Sequence, residues 1–179
     1  MNLPNRLTLL RIISIPFFIF FLMTNFVPGS KWIAFGLFIL ASLTDFLDGY
    51  IARKKNLITD FGKFADPLAD KLLVCSALIC LLSLDKISVY IVLIIIARDF
   101  IISGFRLVAA GKGIVIAADW SGKIKTALQM VMILFIIADL SFLGIFTLIL
   151  EIVVVILTVV SLIECLVKNS KVLKEGKNR

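Results

Sequence analysis

Histidine is absent from this chain of 179 residues. A general base, if the protein uses one, must be a carboxylate, a lysine, a tyrosine, a thiol or a bound water. Cysteine is scarce: Cys75, Cys80 and Cys165 are odd in number, lie in apolar segments and form no CxxC pair. Neither a disulfide framework nor a zinc site is signalled. Charge is sparse as well, with 17% of residues charged against 61% hydrophobic. A soluble domain is nearer half apolar, so apolar surface would remain here after a core had been filled. The mean hydropathy of +1.11 agrees. These deficits exclude a disulfide-stapled secreted module and point to a polytopic membrane protein.

What charge there is leans basic, with a formal net charge of +7. The basic residues sit between apolar runs and do not interleave with exposed aromatics, so nucleic acid is not the expected partner. Attraction to anionic lipid is a further consequence of such a balance. The first apolar run, residues 12–23 extended upstream by 7–10, has a signal peptide's look, but no small-x-small cleavage site follows it. It reads as a retained first helix, with "MNLPNRLT" before it as a short interfacial segment. Further helices are predicted near 32–53, 59–84, 87–110, 123–139 and 142–167, with Pro67 kinking the third or sitting in its first turn. The fold class is therefore all-α: a bundle of six transmembrane helices at ~20 residues each. Residues 1–167 form a single membrane domain and 168–179 a basic tail. "AAGKGIVIAADWSGK" reads as a loop, and its two close glycines, Gly111 and Gly113, as a turn rather than a phosphate loop.

Seventeen of the nineteen Lys and Arg fall on one side of that arrangement; Lys31 and Lys86 alone fall on the other. Such a bias predicts that both termini are cytoplasmic. It also puts the most unusual stretch of the chain, "DFLDGYIARKKNLITDFGKFADPLADK", at the cytoplasmic face. On a helical wheel Asp45, Asp48, Gly49 and Ala52 fall within about 100° of one another, and Gly62, Asp66 and Asp70 within about 80°. Two consecutive helices thus each carry a stripe of paired carboxylates lined by very small residues.

An aspartate at mid-membrane costs roughly 2.5–3.5 kcal/mol on the insertion scale, and four close together repel. Either they protonate or a cation neutralises them. Hard oxygen donors without Cys or His suit Mg²⁺, Mn²⁺ or Ca²⁺, and four carboxylates can hold two such ions over a pyrophosphate. Gly49, Ala52 and Gly62 leave room for a nucleotide or pyrophosphate beside helix backbone, and Arg53 can reach a phosphate oxygen. Taken singly each residue has a plainer use: a helix N-cap for Asp60 or Asp66, an ion pair for Asp48, close helix packing for the glycines. Taken together at these offsets they do not.

The spacing D-x-x-D-G-x-x-A-R-x8-G-x3-D-x3-D is met at Asp45, Asp48, Gly49, Ala52, Arg53, Gly62, Asp66 and Asp70. In this the chain resembles the CDP-alcohol phosphotransferases, which have a six-helix membrane fold. The resemblance implies an enzyme in which an alcohol displaces CMP from a CDP-linked lipid, with Mg²⁺ or Mn²⁺ in the aspartate site, usually as a homodimer. It implies metal ligation by Asp45, Asp48 and Asp66, and a general base in Asp70 that also touches a metal. Asp48, Gly49, Ala52, Arg53 and Gly62 would line the nucleotide. "LPNRLTLLRIISIP", "ARDFIISGFRLVAAGKG" and "WSGKIKTALQM" are similar to segments of the phosphatidylglycerophosphate synthases, which join CDP-diacylglycerol to sn-glycerol 3-phosphate. That acceptor is a dianion and needs cations besides the metals. Arg98, Arg106, Lys123 and Lys125 are the candidates, and Arg98, deep in an apolar helix, should face a polar interior rather than lipid. The expected location is a bacterial cytoplasmic membrane, with the site facing the cytoplasm. Another acceptor within the family, inositol phosphate or serine, is the alternative. A divalent-cation transporter using the same acids is the alternative from another class. Glu151, inside the last helix, finds no role from sequence, and Glu164 is expected to be solvated or to pair with Lys168.

Overall fold

The computed structural model describes residues 3–24, 26–54, 60–111, 113–114, 116 and 119–169, with backbone placement alone for 3–7, 45–54, 60–67 and 141. Within these, six α-helices follow one another and no strand occurs: α1 (Leu3–Met23), α2 (Ser30–Lys54), α3 (Asp60–Ser83), α4 (Val89–Gly111), α5 (Trp120–Ala138) and α6 (Gly144–Lys168). A single 3₁₀ turn, Ser141–Leu143, leads into α6. The expected helices are all present. The opening residues do not form a separate element, since from Leu3 they are already the first turn of α1. Pro67 lies inside α3 rather than in its first turn. α5 and α6 are each long and apolar enough to cross a membrane, while the apolar parts of α1 and α2, Thr8–Met23 and Ser30–Thr44, are shorter.

The helices end for identifiable reasons. After α3, Asp85 takes a left-handed φ of 54°. The Asp85 and Lys86 amides turn back to the carbonyls of Leu82 and Leu81 at 3.0 and 2.9 Å, satisfying acceptors that a helix end leaves open. α4 ends the same way: Gly113, with φ 73°, and Ile114 donate to Ala110 and Ala109, both at 2.9 Å. The second glycine of "GKG" is thus a helix cap, in accord with a turn.

The chain folds as two compact units, one of residues 1–87 with 133–140 and one of 88–132 with 141–179. In the first unit α1 packs on α2 and α3, and α2 on α3. Small residues allow close approach: Ala34, Ala41, Ala69 and Ala77 are all buried, as are Phe18 and Phe38, whose rings meet at a tilt of 44° with centroids 5.7 Å apart. Arg11 is fully buried here, and its Nε donates to the Ala41 carbonyl of α2 at 3.2 Å. Arg11 thus ties α1 to α2. The two lysines expected on the other side meet at the C-terminal end of α5. Lys31 Nζ donates to the Ala138 carbonyl at 2.9 Å, and Lys86 pairs with Asp139 at 2.7 Å. Cations at this end of a helix offset its dipole and fill open carbonyls.

In the second unit α4 packs on α6. Ile102, Phe105, Ala109 and Cys165 form its core, with Ile116, Leu162 and Leu166 against them. The outward side of α6 is a continuous apolar surface, Ile145, Leu148, Ile149, Ile152, Ile156, Val159 and Ile163 among it. Exposed apolar area on this scale is not a water-facing feature.

Candidate active site

Arg98 lies halfway along α4, among isoleucines, with 9% of its surface exposed. A guanidinium in such a place needs partners, and each of its three nitrogens has one. Nε and Nη2 both donate to Ser161 Oγ of α6, at 3.2 and 3.0 Å, and Nη1 donates to Asp99 Oδ1 at 2.9 Å. The same Asp99 oxygen accepts from Lys125 Nζ of α5 at 2.7 Å, and Lys125 is 1% exposed. Ser161 donates in turn to the Thr158 carbonyl at 3.1 Å. Gly122, one turn before Lys125, approaches this guanidinium: a Cβ there would sit 3.2 Å from Arg98 Nη2. Three helices therefore bring two buried cations onto one carboxylate.

Of the four cations expected at an acceptor phosphate, the structure joins Arg98 and Lys125. Arg106 is half-buried, with its Nε enclosed and unpaired. Lys123 is exposed and lies over the Trp120 ring, 5.4 Å from its centroid, away from the cluster. Lys123 and Lys125 are two residues apart, hence about 200° apart on the helix, and cannot share a face. Asp99, Ser161 and Gly122 went unread in the sequence. The signal for Asp99 was present, an acid beside an arginine within one apolar run. For Ser161 there was none, since serine in an apolar helix has many uses.

Two further contacts hold the α4–α5 connection to the end of α6 in this unit. Ser121 Oγ donates to Glu164, and Lys168 pairs with Asp119 at 2.9 Å. Glu164 thus accepts from Ser121 while lying partly exposed and near enough to Lys168 to favour its charge, in line with the two uses expected of it. Glu151 is half-buried on α6.

The acidic stretch belongs to the first unit. Positions 45, 48, 49, 52 and 53 are in α2, and 62, 66 and 70 are in α3. The side chains of Asp45, Asp48, Gly49, Ala52, Arg53, Gly62 and Asp66 lie outside the described residues, as does the tail from 170. Asp70 is described and half-buried. Helical register extends the pattern of the described parts. Ala34, Phe38 and Ala41 define the buried sector of α2, and positions 45, 48, 49 and 52 fall within about 60° of its centre at 100° per residue. Ala69, Leu73, Ala77 and Leu81 do the same for α3, with positions 62, 66 and 70 within about 65°. The sectors that bury alanines along most of each helix carry acids at the adjoining ends.

Comparison with known proteins agrees with the spacing of those acids. The family model of the CDP-alcohol phosphatidyltransferases matches residues 1–163. The chain is 48% identical over 141 residues to the CDP-diacylglycerol–glycerol-3-phosphate 3-phosphatidyltransferase of Bacillus subtilis (strain 168), 73% of each chain being covered. It is 48% identical over 129 residues to the enzyme of that name from Rickettsia prowazekii (strain Madrid E), covering 72% of this chain and 71% of the relative. To that of Mycoplasma genitalium (strain ATCC 33530 / DSM 19775 / NCTC 10195 / G37) it is 37% identical over 150 residues, covering 75% and 64%. With the eight spaced motif residues on α2 and α3 and a family match over nearly its whole length, the chain belongs to the CDP-alcohol phosphatidyltransferases.

Proposed function

We propose that this protein transfers the phosphatidyl group of CDP-diacylglycerol to sn-glycerol 3-phosphate, giving phosphatidylglycerophosphate and CMP. The relatives named for that reaction support the choice within the family. The observation that carries it is the buried cluster of Arg98 and Lys125 on Asp99. An acceptor that already bears a phosphate needs cations beyond those that hold the nucleotide, and an arginine and a lysine brought together inside an apolar unit can supply them. Serine, a zwitterion whose single carboxylate carries less charge than a phosphate dianion, uses these two cations less fully.

In this reading Asp70 takes the proton from the acceptor hydroxyl. The freed oxygen attacks the phosphorus that stays with the diacylglycerol, its bond to the bridging oxygen breaks, and CMP leaves with the electron pair. Gly49, Ala52 and Gly62 keep side chains away from the nucleotide, and Asp48 and Arg53 hold it. Arg98 and Lys125, with Arg106 beside them in the proposal, hold the acceptor phosphate. Lys123 serves as an outer cation that meets the anion first. The four carboxylates suit hard divalent ions in a chain without histidine, so Asp45, Asp48, Asp66 and Asp70 would hold two Mg²⁺ or Mn²⁺. Bound there, such ions supply charge neutralisation at the pyrophosphate. The half-buried setting of Asp70 and the register of α2 and α3 fit that use.

All six helices span the bilayer in this proposal, as one domain, residues 1–167, with both termini and the basic tail, 168–179, cytoplasmic. The site faces the cytoplasm of a bacterial cell, and two copies form a homodimer. Grouping of the start of α2 and the ends of α3 and α5 through Lys31, Lys86, Ala138 and Asp139 supports alternate spans. The deciding experiment is CMP release by the purified protein in lipid nanodiscs, with CDP-diacylglycerol and glycerol 3-phosphate, inositol phosphate or serine in turn. Preference for serine would overturn the acceptor assignment, and metal flux into liposomes without CDP-lipid would favour a transporter.

A further inference from the structure

Among the described residues of the second unit, five polar or charged side chains are buried: Arg98, Lys125, Gln129, Thr158 and Ser161. They occupy a narrow band on α4, α5 and α6. Four are accounted for. Arg98 and Lys125 share Asp99, Ser161 accepts from Arg98, and Thr158 Oγ1 donates to the Val154 carbonyl at 2.6 Å. Gln129 is the exception. It is 2% exposed, and its Oε1 is enclosed with no hydrogen-bond partner. Buried acceptors of this kind are nearly always met by protein, water or ligand.

Its position gives the orphan oxygen a meaning. Gln129 lies four residues after Lys125, on the same face of α5 and one turn along, so their Cβ atoms are about 5–6 Å apart. Arg98 and Lys125 can only donate. They recognise an anion, and so cannot tell one phosphate monoester from another. A hydroxyl beside that phosphate needs an acceptor, and Gln129 Oε1 is an enclosed neutral acceptor without a partner, whereas the Asp99 carboxylate is engaged by both cations. We infer that Gln129 Oε1 accepts a hydrogen bond from the hydroxyl of the acceptor that does not react, making Gln129 the residue that selects a polyol phosphate. The inference rests on the proposal that Arg98 and Lys125 hold the acceptor phosphate.

The test compares glycerol 3-phosphate with 3-hydroxypropyl phosphate, which keeps the phosphate and terminal hydroxyl and lacks the middle one. Both are assayed by CMP release with the full chain in nanodiscs, for the wild type and for Gln129→Met, which keeps length without the acceptor. The wild type should prefer glycerol 3-phosphate by at least about tenfold in kcat/KM. Gln129→Met should bring the two acceptors within about twofold by losing activity on glycerol 3-phosphate alone, with KM for CDP-diacylglycerol unchanged. A wild type indifferent to the missing hydroxyl overturns the inference even if the variant fails to fold. So does a variant that keeps the preference, which would leave Gln129 to a structural water. Competition by inorganic phosphate separates the two levels. If phosphate competes with glycerol 3-phosphate while the preference is absent or survives the variant, only the role of Gln129 falls. If phosphate does not compete with the wild type, the phosphate subsite falls and the inference with it.

Discussion

Gly122 leaves the space that the Arg98 guanidinium fills, since a Cβ on Gly122 would lie 3.2 Å from Nη2. That nitrogen cannot withdraw without loosening its bond to Ser161. Gly122→Ala should therefore leave helix α5 intact, because alanine favours helix over glycine by about 1 kcal/mol, yet displace the guanidinium. The expected outcome is a several-fold rise in KM for glycerol 3-phosphate with KM for CDP-diacylglycerol unchanged. Steady-state CMP release against each substrate checks this.

Asp99 bridges two buried cations, and Asp99→Asn removes the carboxylate they share. Breaking a buried pair in this way costs about 3–5 kcal/mol, so the variant should melt well below the wild type in detergent. An anion that binds the same two cations should return part of the loss by binding the folded form alone. Melting with and without inorganic phosphate measures both effects. A variant that phosphate does not stabilise removes the cluster as an anion site.

Asp70→Asn should lower turnover by about 10²–10⁴-fold, the usual contribution of a positioned base, while the helical content and melting temperature persist. Normal CMP release by that variant would remove Asp70 from the chemistry.

Chelation of divalent ions should abolish CMP release, and either Mg²⁺ or Mn²⁺ should restore it, because the donors are carboxylates. Full turnover in excess chelator would exclude the proposed use of the four acids.

Lys86 and Asp139 pair at 2.7 Å, but both are about half exposed. Exposed pairs contribute about 0–1 kcal/mol and are screened by salt. Lys86→Ala should change the melting temperature slightly, less so in high salt, and leave turnover unchanged. A larger stability loss would show that capping of α5 by these lysines matters more than the pair alone.

Much of this architecture is legible in the chain. Long apolar runs fix six helices, and Gly113 marks where α4 must turn, because only a left-handed residue closes that end easily. The acids of α2 and α3 announce themselves by spacing. Depth is what the linear pattern hides. Arg11 reads as one of many basic residues and Lys125 as one of four cations for a phosphate, and the pattern does not show that one is bonded across to α2 and the other to Asp99. A count of charges along a sequence has no means to separate an arginine at an interface from one between helices. Lys123 and Lys125 look equivalent on paper and point in different directions. Which of them faces inward depends on how α5 packs, and that depends on contacts remote in sequence, such as those to Arg98 and Asp99.

The tie between Arg11 and the Ala41 carbonyl bears on how the protein is made. Arg11 is translated before its acceptor exists. If α1 spans the bilayer as proposed, it would enter lipid with this cation lacking its α2 acceptor, so it has reason to wait at the translocon until the following segment emerges. Biogenesis would then proceed by a helical hairpin rather than one span at a time, with the first acid of the motif brought into the bilayer in the same event. A ribosome-stalled chain ending before α2 should remain extractable by alkali, and one ending after it should not.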